Sequence, residues 1–186
     1  MSKTKNNRKL AVILVADVAG YSKAMEKDEN RTLANFRDCR AVFETLADEY
    51  DGRIFNTAGD SFLTEFQSAV AAVEFAAAFQ TKMLKRNQAI DYEDQLRFRI
   101  GVNMGDVVID GENLYGDGVN VAARLEALAQ PEGVCISKSV HDFAVDKTSY
   151  DFVRLGRQRV KETEVDALDM VFENLAKRDG KQLAAS

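Results

Sequence analysis

The chain has 186 residues, enough for one well-buried domain and short for two. Apolar residues make up 46% and charged residues 30%, and the net charge of -5 argues against a protein that coats nucleic acid non-specifically. No apolar run approaches the roughly 20 residues of a membrane-spanning helix, and two isolated cysteines, Cys39 and Cys135, make neither a disulfide framework nor a zinc knuckle. A cytoplasmic protein with two buried thiols is expected.

Residues 1–9 read as a short polar arm that leads straight into a strand, Leu10 to Ala16, ending at Asp17. Val18, Ala19, Gly20, Tyr21 and Ser22 turn the chain into a helix. Gly20 there either brings a phosphate close to backbone amides or simply eases the turn. Leu33, Phe36, Cys39, Phe43, Leu46, Ala47 and Tyr50 recur at three- and four-residue steps, which predicts a helix with one apolar face ending at Asp51-Gly52. Two short strands follow, Ile54-Phe55 and Phe62 to Phe66, pinched at Ala58-Gly59-Asp60, so a hairpin carries a carboxylate at its tip.

Ala69 to about Lys85 reads as a second helix packed through small residues, and Arg86 to Gln95 as a polar loop. Alternation of Leu96, Phe98, Ile100 and Val102 predicts a strand, with Gly105 turning it into a partner strand that holds Val107, Val108 and Ile109. Gly116-Asp117-Gly118 opens a helix from Val119 to about Ala129. Val121, Leu125 and Leu128 form its core stripe, and Asn120 and Arg124 stand one turn apart on another face. Spacing alone favours a solvated edge for that pair. Ser137 is placed to cap the helix holding His141, a histidine without a neighbouring second ligand and therefore read as structural. Two late strands flank a turn with Lys161, and the tail from Ala176 is expected to fray.

This order predicts an α+β plan, an antiparallel sheet with helices packed on one face. If the first strand and the central hairpin are neighbours, Asp17 and Asp60 leave adjacent strand ends. Paired carboxylates repel, so a hard divalent cation is their natural partner.

Three segments together resemble the class III adenylate/guanylate cyclase catalytic domain. Ala16-Asp17-Val18-Ala19-Gly20-Tyr21-Ser22 looks like the first metal motif, Thr57-Ala58-Gly59-Asp60 like the second, and Gly116 through Glu126 like the transition-state segment. The likeness covers roughly residues 10–172. The resemblance implies a ferredoxin-like core spanning residues 10–175, with 176–186 as a polar tail. It further implies a homodimer with active sites at the subunit interface, where one copy's aspartates face the other's Asn120 and Arg124. By the same likeness, Asp17, Val18 and Asp60 would hold two Mg2+ or Mn2+ ions, Gly20, Tyr21 and Lys161 would bind phosphates, and Asn120 and Arg124 would be catalytic. The implied reaction converts ATP to cyclic AMP and pyrophosphate.

At the base-reading positions the chain departs from the family pattern. Adenylyl-selective members place Lys and Asp there and guanylyl-selective ones Glu and Cys, whereas this sequence has Asn56 and Asn113. An amide both donates and accepts, so GTP or relaxed purine selectivity stays open, as does a non-catalytic dimeric regulatory module. No segment reads as a sensor, so a regulatory domain or partner outside these residues is expected.

Overall fold

The computed structural model describes residues 7–172 together with Arg178. In chain order the elements are β1 (Asn7–Val18), α1 (Tyr21–Lys27), α2 (Glu29–Glu49), β2 (Arg53–Ala58), β3 (Ser61–Phe66), α3 (Ala69–Gln88), β4 (Phe98–Asp110), β5 (Asn113–Tyr115), α4 (Asp117–Leu128), β6 (Val134–Ser137), α5 (Lys138–Ala144), β7 (Phe152–Val160) and β8 (Thr163–Met170). The sheet runs β2-β3-β1-β4-β6-β8-β7, with β5 paired to β4; β4 and β6 are parallel, and the other pairs are antiparallel. The α+β class is therefore as the sequence suggests, and β1 and the β2–β3 hairpin are neighbours.

β1 lies between β3 and β4, and both of its faces are covered. Val12, Leu14, Ala16 and Val18 point toward the larger core beneath α2, α3 and α5. That core is built around stacked and edge-on rings of Phe36, Phe43, Phe62, Phe75, Phe79 and Phe98. Ala11, Ile13 and Val15 point the other way, against Val107, Leu114 and the α4 residues Val119 and Ala122. Helices thus occupy both faces of the sheet, and α4 departs from the one-face arrangement that the element order suggested. A helix on each face also explains why β1 reads as an unbroken apolar run.

Helix starts follow from capping chemistry. The side chains of Asp28, Ser68 and Ser137 accept the amides of Arg31, Ala71 and Val140 at the starts of α2, α3 and α5. Cys39 and Cys135 are buried free thiols, as expected.

Three boundaries differ from the sequence reading. β1 begins at Asn7, inside the presumed arm, because residues 7–9 pair with Val107, Val108 and Ile109. β4 runs unbroken past Gly105, whose lack of a side chain serves packing: a Cβ there would lie 3.2 Å from the Gly118 Cα. Arg178 is held within the predicted tail, where it bridges Asp169 of β8 and the Leu128 carbonyl at the end of α4. The other residues of that tail lie outside the described ones.

Candidate active site

Asp17 is the penultimate residue of β1 and Asp60 lies in the tight turn between β2 and β3. Pairing of Ala16 with Phe62 sets the two segments side by side. The Val18 amide then donates to Asp60 Oδ2 at 2.8 Å, drawing the second carboxylate to the end of β1 next to Asp17. Gly59 makes that turn possible by adopting φ 58, a left-handed value that residues with side chains rarely take. Burial pushes the Asp60 carboxyl up, amide hydrogen bonds from Val18 and its own backbone pull it down, and the charge of Asp17 pushes it up again. The two acids are thus neighbours at one end of the sheet, each within the other's field.

Each proposed ligand already has a protein partner. Asp17 faces Arg99, its cross-strand neighbour on β4, whose guanidinium reaches both carboxylate oxygens at 3.2 Å. The Nε of Arg99 also lies 3.1 Å from Glu126 Oε1 on α4, an ion pair without hydrogen-bond alignment. Glu126 is only 7% exposed, and its carboxyl is pushed up to about 9, chiefly by burial and then by the hydrogen bond and field of Asp17. Neither Arg99 nor Glu126 was singled out from the sequence. Arg99 looked like the solvated side of an alternating strand, because its partner lies 82 residues away.

The resemblance places Val18 with the metal-holding residues; its amide hydrogen is committed to Asp60, which leaves the carbonyl as its group for a cation. Nearby donors remain. α1 starts from Gly20 at φ 70 with no side-chain cap, so the first-turn amides from Tyr21 onward have no acceptor within the helix. A Cβ on Gly20 would meet open space, so the positive φ is what requires glycine there. The Tyr21 ring packs against Phe36, 5.6 Å between centroids, and its backbone amide is the first of those donors.

Asn120 is exposed and Arg124 half-buried on α4. Among the described residues, neither makes a hydrogen bond or ion pair with Asp17 or Asp60 of the same chain. Lys161 occupies the β7–β8 turn at the far edge of the sheet, with φ 58 and an exposed side chain, and one chain does not bring it to the acids. Asn56 is exposed on β2 after a bulge, and Asn113 is half-buried on β5. His141 packs edge-on against Phe152, a structural role. A cleft lined by Tyr50, Glu74, Lys85, Tyr150 and Phe172 opens on the α3 side, on the sheet face opposite α4.

Residues 4–172 match the family model of the adenylate and guanylate cyclase catalytic domain. The chain belongs to that family. This cyclase domain is 45% identical over 168 residues to "Putative adenylate cyclase 3" of Rhizobium meliloti (strain 1021), covering 88% of the chain but 28% of that protein. The domain thus spans under a third of that relative. Its fold superposes with a TM-score of 0.84 on an adenylate/guanylate cyclase/hydrolase from Silicibacter pomeroyi, at 36% identity over 90% of this chain and 99% of that one. The adenylyl cyclase CyaB of P. aeruginosa shares the fold at TM-score 0.76 and 22% identity, covering 91% and 98% of the two chains. Among the described residues, no helix of the cyclase domain is long and apolar enough to cross a membrane.

Proposed function

We propose that this domain converts ATP to 3',5'-cyclic AMP and pyrophosphate as a cytoplasmic homodimer with two equivalent sites at the subunit interface. The observation that carries this reading is the Val18 amide bond to Asp60, which gathers two carboxylates at one strand end. Their donor set suits a hard divalent cation. Both offer carboxylate oxygens, and Asp60 is already pushed up in part by its neighbour's charge, a repulsion that a cation would relieve. Asp17, Asp60 and the Val18 carbonyl would hold Mg2+ or Mn2+, two per site. When bound, such ions supply charge neutralisation on the phosphate oxygens and a lowered pKa for the ribose hydroxyl.

In the reaction the ribose 3'-oxygen bonds to the α-phosphorus, the bond from that phosphorus to the pyrophosphate oxygen breaks, and the hydroxyl proton leaves. The unpaired amides at the start of α1 would bind phosphate oxygens. Arg124 of one copy would face the α-phosphate held by the other copy's acids and stabilise charge growing at phosphorus, while Asn120 would orient the ribose. Lys161 of a second copy is assigned to the terminal phosphates. Asn56 and Asn113 would read the base. ATP is preferred because neither guanylyl-type residue is present and the Rhizobium relative carries an adenylate cyclase name. Regulatory input would come from a domain or partner outside these residues, in keeping with the greater length of that relative.

Purified protein with Mn2+ and ATP should release cyclic AMP and pyrophosphate in equal amounts, and Asp17→Ala should reduce the rate by about 100-fold or more. Unchanged turnover in that variant would refute the assignment. The amides at positions 56 and 113 favour a second reading, a non-catalytic dimeric module. It predicts no product from ATP or GTP at saturating metal.

A further inference from the structure

Asn113 carries the ambiguity left by the sequence, because a free amide can rotate and exchange its donor and acceptor ends. The structure removes that freedom. The Asn113 Oδ1 accepts the Leu114 backbone amide at 2.9 Å, and its Nδ2 donates to the Tyr115 hydroxyl, also at 2.9 Å. A backbone N–H can only donate, so it identifies the oxygen end, and the Tyr115 hydroxyl holding the nitrogen end is what stops the amide from swinging about that single bond. Leu114 between them is 2% exposed and anchors the short strand β5 in the core beneath α4.

The turn that carries Asn113 is pinned as well. Arg53 on β2 donates through Nη1 to the Glu112 carbonyl at 2.5 Å, and through Nη2 to Glu65 Oε2 at 2.9 Å. Glu65 is 7% exposed and also pairs with Lys9 at 2.5 Å, so the guanidinium is seated on a nearly buried carboxylate. β2 and β5 are in contact, and β2 carries Asn56 three residues after Arg53.

We infer that purine selectivity in this protein is set by an orientation-locked Asn113 amide, with Tyr115 and Arg53 as its positioning residues. The inference rests on the cyclase reading above. Once both tethers are made, the amide keeps one Nδ2 hydrogen and one Oδ1 lone pair, in a fixed spatial order. Adenine presents an amino donor beside a ring-nitrogen acceptor on its pairing edge, and guanine presents a carbonyl acceptor beside a ring N–H donor. The two purines offer opposite sequences of donor and acceptor, so a locked amide matches one and opposes the other. An amide that rotates freely would accept both.

The test is the ratio of kcat/KM for ATP to that for GTP, measured in the wild-type protein and in Tyr115→Phe. This substitution removes one oxygen from a half-exposed ring. The inference expects a wild-type preference of at least about tenfold for one purine, falling about fivefold in the variant, the value of one ordinary hydrogen bond. The variant should keep its thermal midpoint. Dissociation constants for fluorescent ATP and GTP analogues report the same ratio whether or not turnover occurs. A wild-type protein that makes no cyclic nucleotide from either purine sinks the cyclase reading, and the binding ratio still judges the inference. Equal treatment of the two purines by the wild type overturns the inference, as does a variant whose ATP-to-GTP ratio is unchanged.

Discussion

Charge balance around Asp17 decides much at the scale of single residues. Arg99 stands between the half-buried carboxylate of Asp17 and the nearly buried carboxyl of Glu126, with Asp60 beside them. The carboxyl of Glu126 stands at about 9 in the folded chain, against an ordinary 4.5. Between those values the folded state holds a proton that the unfolded state has released, so stability falls as pH rises from about 5 to about 9. In a chelator-containing buffer the thermal midpoint should therefore decline across that range. Glu126→Gln should flatten the decline and gain roughly 3 °C at pH 8.5, the shift that about 1 kcal/mol produces in a domain of this size. A wild-type midpoint that rises between pH 5 and 9 would contradict this account of Glu126. Such pairings were hidden in the sequence because cross-strand partners are far apart along the chain and carry no local spacing signal. Asp17 and Asp60 were legible because each ends an apolar run where a lone carboxylate is costly.

At the scale of elements, the placement of α4 depends on the absence of side chains. A Cβ added to Gly101 on β4 would lie 2.1 Å from the Glu126 amide nitrogen and 2.4 Å from the Ala122 carbonyl, both backbone atoms of α4. Gly101→Ala should push the helix off the sheet, lowering stability by about 3 kcal/mol or more in urea unfolding. Cyclase activity should fall further than stability, since Asn120 and Arg124 ride on the displaced helix. The far end of α4 is tied by Arg178, whose ion pair with Asp169 is 7% and 15% exposed on its two sides. Arg178→Met strands that carboxylate without its partner and should cost about 3 kcal/mol, measured the same way. The sequence reading placed α4 correctly along the chain but not its face. Apolar residues on both sides of β1 and β4 erase the alternation that would mark one side as solvated. Gly105 was misread as a turn for a related reason, since a glycine used for close helix approach looks the same in sequence as one used for bending.

At the scale of the whole molecule, Asp17 and Asp60 meet at one strand end of the chain, and no bond joins them to the Asn120 and Arg124 of that chain among the described residues. In the proposed head-to-tail dimer, each copy would lend acids to one site and α4 residues to the other. The family order of motifs is what suggests this arrangement in sequence, and Lys161, on an edge turn remote from the acids, would join the site only through a second copy. Complementation tests the arrangement most directly. Asp17→Ala and Arg124→Ala proteins, each inactive alone, are mixed in equal amounts and allowed to exchange subunits. Random pairing makes half the dimers mixed, each with one intact site of two, so the mixture should recover about a quarter of wild-type cyclase activity. A mixture that stays silent while both variants fold and form mixed dimers would contradict the shared site.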